Sequence, residues 1–355
     1  MAANMADSYN THAQCQHALI QTVKPLLEEA MTELFSEENF KAKPLRVGEF
    51  GCAMGGNSIL PLQVIADQAF SAGCSSMSVL LGDLPSSEWR TTASTVTPEA
   101  LGAHLPVYVH MCGRSHFEQI TPDASLDVSY SFTSVNWLSE NLTARLGAMP
   151  HCFHPTSARD NPEQRAIWLK LAAKDWATFV ENRGKEMGIG GKMIISVCAR
   201  VRGECSWYQA NRALYDSVRE LVPEYLSDRE LADFVLPEHC RDKSEVEDPF
   251  LSDSCPFRLD KLAFSSTPCV HRELLRQGAI TLEEFGAGVM DTILAYMTPM
   301  FVSCLHHGGA SRGEAILSKA RENAEALVRS DPDFYQLDQE QWTVVATRVA
   351  GSCMN

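Results

Sequence analysis

The sequence predicts an α/β fold, a doubly wound and mostly parallel sheet carrying a helical cap, and three observations lead there. Short apolar or alternating runs take turns with stretches of helical spacing from Leu45 to Ala199. The first such run ends in a glycine-rich turn, Glu49–Asn57, that leads back into helical spacing. After Arg200 the alternation gives way to helices. Strands separated by helices make parallel sheets covered on both faces.

The elements follow in order. His17–Phe35 places Leu19, Ile20, Val23, Leu26, Leu27, Ala30, Met31 and Leu34 at helical spacing, an amphipathic helix. Leu45–Phe50 reads as a buried strand, Ser58–Phe70 as a helix, and Met77–Leu81 as a second strand closed by Gly82-Asp83-Leu84-Pro85. Pro106–His110, Leu126–Phe132 and Lys192–Ala199 read as strands three to five, the last after a long helix over Glu163–Lys185. Tyr208–Leu226 and Asp228–Leu236 read as helices, and Pro237–Pro256 as a charged connection. A strand at Leu259–Ser265, helices from Thr281 to about Leu305 and over Arg312–Arg329, and a strand at Trp342–Val349 complete the chain. The expected division is an α/β core over residues 1–200, with 259–280 and 331–355 completing its sheet, and a cap over 201–258 and 281–330.

Composition narrows the function classes. The 355 residues carry a formal net charge of −15 without a long Lys/Arg cluster, which disfavours a nucleic-acid partner. Twelve cysteines stand singly with no C-x-x-C pair, a pattern that suits reduced thiols in a cytoplasmic protein. His151-Cys152-Phe153-His154 and His306-His307 lack a second ligand pair at zinc spacing, so no metal is expected. The start of the chain has no signal-peptide pattern, and no apolar run is read as approaching the ~20 residues of a membrane span.

The Glu49–Asn57 loop carries the chemistry. Its glycines allow a sharp turn and a close approach of ligand to bare backbone amides beside a helix N-terminus. The spacing is G-x-x-x-G-G rather than the G-x-G-x-x-G that cradles a dinucleotide pyrophosphate. Glu49 at the strand end would repel a pyrophosphate but suits the ammonium of S-adenosylmethionine (SAM). Asp83 ends the next strand, where an acid accepts hydrogen bonds from both ribose hydroxyls. Two plainer readings stand beside these: a tight β–α turn without a ligand, and Asp83 as cap of the following helix.

In order and spacing, Ser8-Tyr9…Gln16, E-F-G-C-x-x-G-x-N at Glu49–Asn57, Asp83-Leu84-Pro85 and the segment Leu126–Ser139 resemble the plant-type SABATH methyltransferases. That family comprises the salicylate, benzoate, jasmonate and indole-acetate carboxyl methyltransferases and caffeine-pathway N-methyltransferases. The resemblance extends through Phe179–Arg200, Trp207–Leu221 and Met297–Ser303, nearly end to end. It implies a class I methyltransferase Rossmann-like fold, SAM as cofactor with S-adenosylhomocysteine (SAH) as product, a small carboxylic acid as substrate, and a homodimer.

Carried over by position, the resemblance implies that Tyr9 and Gln16 fold over the site, with Gln16 touching the substrate carboxylate or the methionine end of SAM. Glu49, Gly51 and Asn57 match the positions holding that methionine portion, Asp83 and Leu84 the ribose and adenine contacts, and Ser115 with His116 the adenine contacts. Ser131 matches a serine near the sulfonium, and Trp137 the tryptophan whose indole N–H fixes the carboxylate. Gln16 and Trp137 are thus the expected catalytic pair, and Thr133, Asn136 and Trp207 join them as substrate contacts.

Departures are concentrated at the substrate end. Thr133 stands where the family has Tyr, Asn136 where it has His or Met, and His12-Ala13 where it has Asn-Ser. Glu49 replaces the usual Asp and His116 the usual Phe. Phe234-Val235-Leu236-Pro237 lacks the asparagine of the metal-associated F-N-x-P motif. These changes keep methyl transfer to a ring nitrogen or hydroxyl open as an alternative, with His12 as a candidate base. An NAD(P)-dependent oxidoreductase and a non-catalytic SAM-binding protein are the readings from other classes.

Overall fold

The computed structural model describes residues 9–36, 40–142, 161–201, 203 and 205–350. Its seven strands are β1 Pro44–Phe50, β2 Ser76–Asp83, β3 Val107–Gly113, β4 Leu126–Phe132, β5 Met187–Cys198, β6 Phe257–Thr267 and β7 Gln339–Arg348. They form one sheet in the order β3-β2-β1-β4-β5-β7-β6. The first five in that order run parallel, and β7 runs against both its neighbours. The expected doubly wound sheet is present, with only β7 reversed.

The helices are α1 Tyr9–His12, α2 Gln14–Leu34, α3 Ile59–Ser71, α4 Trp89–Thr95, α5 Pro98–Leu101 and α6 Pro162–Glu186. They continue with α7 Tyr208–Arg219, α8 Asp228–Asp233, α9 Lys243–Glu247, α10 Val270–Arg276, α11 Leu282–Cys304 and α12 Gly309–Ser330.

Alternation along the strands produces two packed layers. Ile194 of β5 joins α2 and α3 residues such as Leu27, Met31, Leu62 and Ile65. Met193, Ile195 and Val197 face the other way, against Trp176, Phe179 and Val180 of α6. Successive side chains on a strand point to opposite faces, so one apolar run serves both layers. Each buried Leu, Ile or Met side chain contributes about 1.5–3 kcal/mol relative to leaving it exposed.

A separate core forms between α7, α8, α11 and α12, with Leu214, Tyr215, Phe234, Met290, Ile293, Met297, Phe301 and Leu317 all buried. Methionines at helical spacing on α11 are therefore core filling. By length and composition α11 could cross a membrane, which corrects the reading that no apolar run has that length. Its apolarity serves the cap core, where 61% of its most apolar stretch is buried.

Several boundaries differ for local reasons. The first cap helix stops at Arg219 rather than Leu226, ahead of Pro223, which restricts the residue before it. The second stops at Asp233, and Phe234–Pro237 runs on without helix. The charged connection holds α9, started by a capping box in which Asp242 and Glu245 exchange hydrogen bonds with each other's backbone. Within 259–280 only the stretch to Thr267 belongs to the sheet; α10 follows and packs on α11. His151-Cys152-Phe153-His154 lies outside the described residues. His306 meets Asp233 at 3.1 Å, and no group of three or more His, Cys, Asp or Glu among the described residues is placed to hold a metal.

Candidate active site

Strand order reverses between the parallel neighbours β1 and β4, and an open α/β sheet has its crevice at the carboxyl ends of the strands where this happens. The carboxyl ends of β1, β2, β3 and β4 present the Glu49–Asn57 loop, Asp83, the Ser115–Phe117 loop and Thr133–Ser139 to a single cleft. Its empty volume is about 1440 Å³, including solvent at the mouth.

The β1 turn depends on its glycines. Gly51 has φ +90°, and a Cβ there would lie 2.1 Å from Ser134 Oγ. Gly51 N–H instead donates to Gly82 O at 2.7 Å, tying the turn to the end of β2. Glu49 is buried beneath the turn and accepts from Ser58 Oγ at 2.9 Å and Tyr130 Oη at 2.8 Å. Burial outweighs those two bonds and pushes its carboxyl up to about 7.

Asp83 accepts from Ala53 N at 2.6 Å and Leu84 N at 2.7 Å, which orients its carboxylate at the cleft edge. Burial raises its pKa as well. The helix-cap reading does not hold, because α4 starts at Trp89 with Glu88 as its cap position.

The N-terminal segment crosses this end of the cleft. Asn10 Nδ2 donates to Met54 O at 3.1 Å, and Gly56 N donates to Asn10 Oδ1 at 3.2 Å. At the other end of the segment, Thr292 Oγ1 of α11 donates to His12 O at 3.2 Å. Tyr9 and Gln16 thereby line the cleft, while His12 does not. Burial and the Asp83 charge raise the Tyr9 phenol, so it stays protonated.

Ser115 and His116 form the far wall. Arg183 and Glu186, both fully buried, pair at 2.7 Å beneath them. Arg183 donates to His116 O at 2.8 Å and Glu118 O at 2.9 Å, and Glu186 accepts from Thr121 N at 3.0 Å. The His116 ring packs edge-on to Phe117, with centroids 4.4 Å apart. Burial, then the Arg183 charge, lowers its pKa to about 3, so the ring is neutral.

Toward the cap, Thr133 turns the chain with φ +60°, an uncommon conformation for a β-branched residue. Trp137 lines the cleft and meets Tyr296 edge-on, with ring centroids 6.3 Å apart. Asn136 is buried, and its Nδ2 donates to Glu238 Oε1. Trp207, at the start of α7, closes the floor.

The cleft thus gathers Tyr9, Gln16, Glu49, Gly51, Asn57, Asp83, Leu84, Ser115, His116, Thr133, Asn136, Trp137 and Trp207. Ser131 departs from expectation. It is fully buried in β4, its hydroxyl donates to Phe50 O at 2.5 Å, and it does not line the cleft. Tyr296, Thr292 and Glu238 were missed, because they sit in the cap far along the chain and no local motif marks them.

Two orphaned polar atoms test the site for a cofactor. Gln16 Oε1 and His116 Nε2 are buried without hydrogen-bond partners in the described structure. Such atoms are costly to bury unless a ligand or water meets them. An ammonium suits a carboxamide oxygen near Glu49, and an adenine edge suits the imidazole nitrogen, so the residues present fit SAM.

The profile of the SAM-dependent carboxyl methyltransferases matches residues 2–347. The chain belongs to that family. This carboxyl methyltransferase family member is 26% identical over 249 residues to methyltransferase LUC1 of Fusarium sp, covering 67% of this chain and 63% of that protein. It is 27% identical to 3,7-dimethylxanthine N-methyltransferase TCS1 of Camellia sinensis var. assamica, covering 68% and 70%. With the benzoic acid/salicylic acid carboxyl methyltransferase 3 of Petunia hybrida it shares 25% identity, covering 69% and 72%. The match spans about half to two thirds of the length of the fungal relatives. The structure of loganic acid methyltransferase with SAH superposes with a TM-score of 0.79 at 17% identity, covering 99% of both chains, which shows a shared fold.

Proposed function

We propose that this protein transfers the methyl group of SAM to the carboxylate of a small organic acid, giving a methyl ester and SAH. The observation that carries the reading is one cleft with two unlike sets of side chains. Glu49 and Asp83 line it at the carboxyl ends of β1 and β2, Trp137 lines it against Tyr296 of α11, and Gln16 lines it as a second neutral donor. Glu49 and Gln16 would hold the methionine portion, Asp83 the ribose, and Leu84, Ser115 and His116 the adenine. SAM bound there supplies a methyl group on a sulfonium.

A carboxylate already carries the charge needed for in-line displacement, so no general base is required. The residues contribute alignment and exclusion of water, and alignment alone is worth up to about 7–11 kcal/mol. Gln16 and Trp137 orient an anion without neutralising it as a tight cation pair would. The helices of 201–258 and 281–330 act as the cap that closes the acceptor end, through Trp207, Glu238, Thr292 and Tyr296.

Labelled SAM offered with a panel of aryl and aliphatic acids tests the reading, with methyl esters as the expected products. Product from amines or phenols only rejects it. That outcome selects the competing N- or hydroxyl O-methylation, which the changed residues Thr133 and Asn136 keep open. We also propose a cytoplasmic homodimer, to be checked by fractionation and by sedimentation of the purified protein.

A further inference from the structure

Glu238 puts a carboxyl group into the end of the cleft where a carboxylate is to be received. It follows Pro237 in the extended segment after α8, and a backbone bridge ties it to Trp137. Its side chain lines the cleft while remaining only 6% exposed. Oε1 accepts from Asn136 Nδ2 and from Cys198 Sγ at 3.6 Å. Both of these bonds fall on Oε1.

No lysine or arginine lines the cleft among the described residues. The ionisable groups that face Glu238 are Cys198 of β5, Cys205 before α7 and Tyr296 of α11, none of them a cation. Burial pushes the Glu238 carboxyl well above the usual carboxylate range, against the hydrogen bond from Asn136. An ionised Glu238 would be a buried charge without a counter-ion, set against the carboxylate of the acceptor. A neutral acid removes both costs. The oxygen that already accepts twice is then its carbonyl, and the proton belongs on Oε2.

Resting on the carboxyl-methylation reading, we propose that Glu238 works as a neutral carboxylic acid whose Oε2–H joins Gln16 and Trp137 as a hydrogen-bond donor to the acceptor carboxylate. It is a specificity-determining residue, selecting acids over amines by the direction of its hydrogen bond. Ionisation of Glu238 removes that donor and adds a repelling charge, so acceptor binding weakens at alkaline pH while cofactor binding does not.

Infrared difference spectra of wild type minus Glu238→Gln, both with SAH, read the protonation state directly. A protonated-carboxyl band at pH 7 is expected; a carboxylate band in its place overturns the proposal. Because this measurement needs no turnover, it decides even if no acid in the panel is esterified, an outcome that would sink the carboxyl reading itself. With an acid that is esterified, wild-type KM should rise about tenfold per pH unit above the Glu238 pKa. Glu238→Gln, which keeps a donor that cannot ionise, should lose that rise, with SAH affinity by calorimetry matching wild type throughout. Indistinguishable KM profiles for the two proteins overturn the inference and leave the carboxyl reading standing. Turnover of a nitrogen acceptor that Glu238→Gln abolishes at unchanged KM also overturns it, by making Glu238 a base.

Discussion

Replacing Glu49 with glutamine should make the cofactor-free protein more stable and its SAH complex weaker. Glu49 is held at the end of β1 with two hydrogen bonds from Ser58 and Tyr130, yet burial pushes it from 4.5 up to about 7. A carboxyl whose folded pKa exceeds its unfolded value binds its proton more tightly when folded. Stability is therefore greatest below pH 4.5 and falls as pH rises through the window from 4.5 to about 7. At about 1.4 kcal/mol per pKa unit, the ionised carboxylate costs the free protein up to about 3 kcal/mol above pH 7. The site is pre-charged for a cation, and an ammonium recovers that cost on binding. Glu49→Gln removes the penalty together with the counter-charge. Denaturant unfolding of the free protein at pH 8 should show the variant more stable, by an amount bounded by that figure. SAH affinity of wild type, measured by calorimetry, should tighten about tenfold per pH unit as pH rises toward 7, and the variant should show no such rise. A variant no more stable than wild type at pH 8, or an SAH affinity whose pH dependence survives the substitution, refutes this account of Glu49.

Trp137→Ala should lower turnover far more than SAH affinity, because the ring faces Tyr296 at the acceptor end; equal losses in kinetics and calorimetry would make the tryptophan a structural residue. Gly51→Ala should destabilise the fold by about 1–3 kcal/mol or more, since φ +90° is strained for alanine and the new methyl meets Ser134, a loss visible in thermal unfolding. Arg183→Met should cost about 3–5 kcal/mol, because it leaves Glu186 as a buried unpaired charge, and should also weaken SAH binding by releasing the His116–Glu118 carbonyls. Changing Arg183 and Glu186 together to apolar residues should recover much of the stability but not the SAH affinity, read by denaturation and calorimetry of the same samples.

What the sequence alone determined is local. Helical spacing locates α2, α6 and α11, short apolar or alternating runs locate all seven strands, and the glycine spacing with Glu49 and Asp83 marks the cofactor end. These signals survive because each arises from residues within a turn or two of one another. Tertiary structure alone decided what depends on distant partners. β7, last in the chain, inserts between β5 and β6 because its two faces complete both layers, and no pattern inside Gln339–Arg348 states that position. Ser131 shares a motif with residues that line the cleft, but its place on the pleat turns its hydroxyl to Phe50 O. Glu238 looks like one more charge in an acidic stretch, and only packing against Asn136 and Cys198 buries it beside Trp137. Burial sets the charge state of a carboxyl, and burial is a property of the folded neighbourhood rather than of the residue.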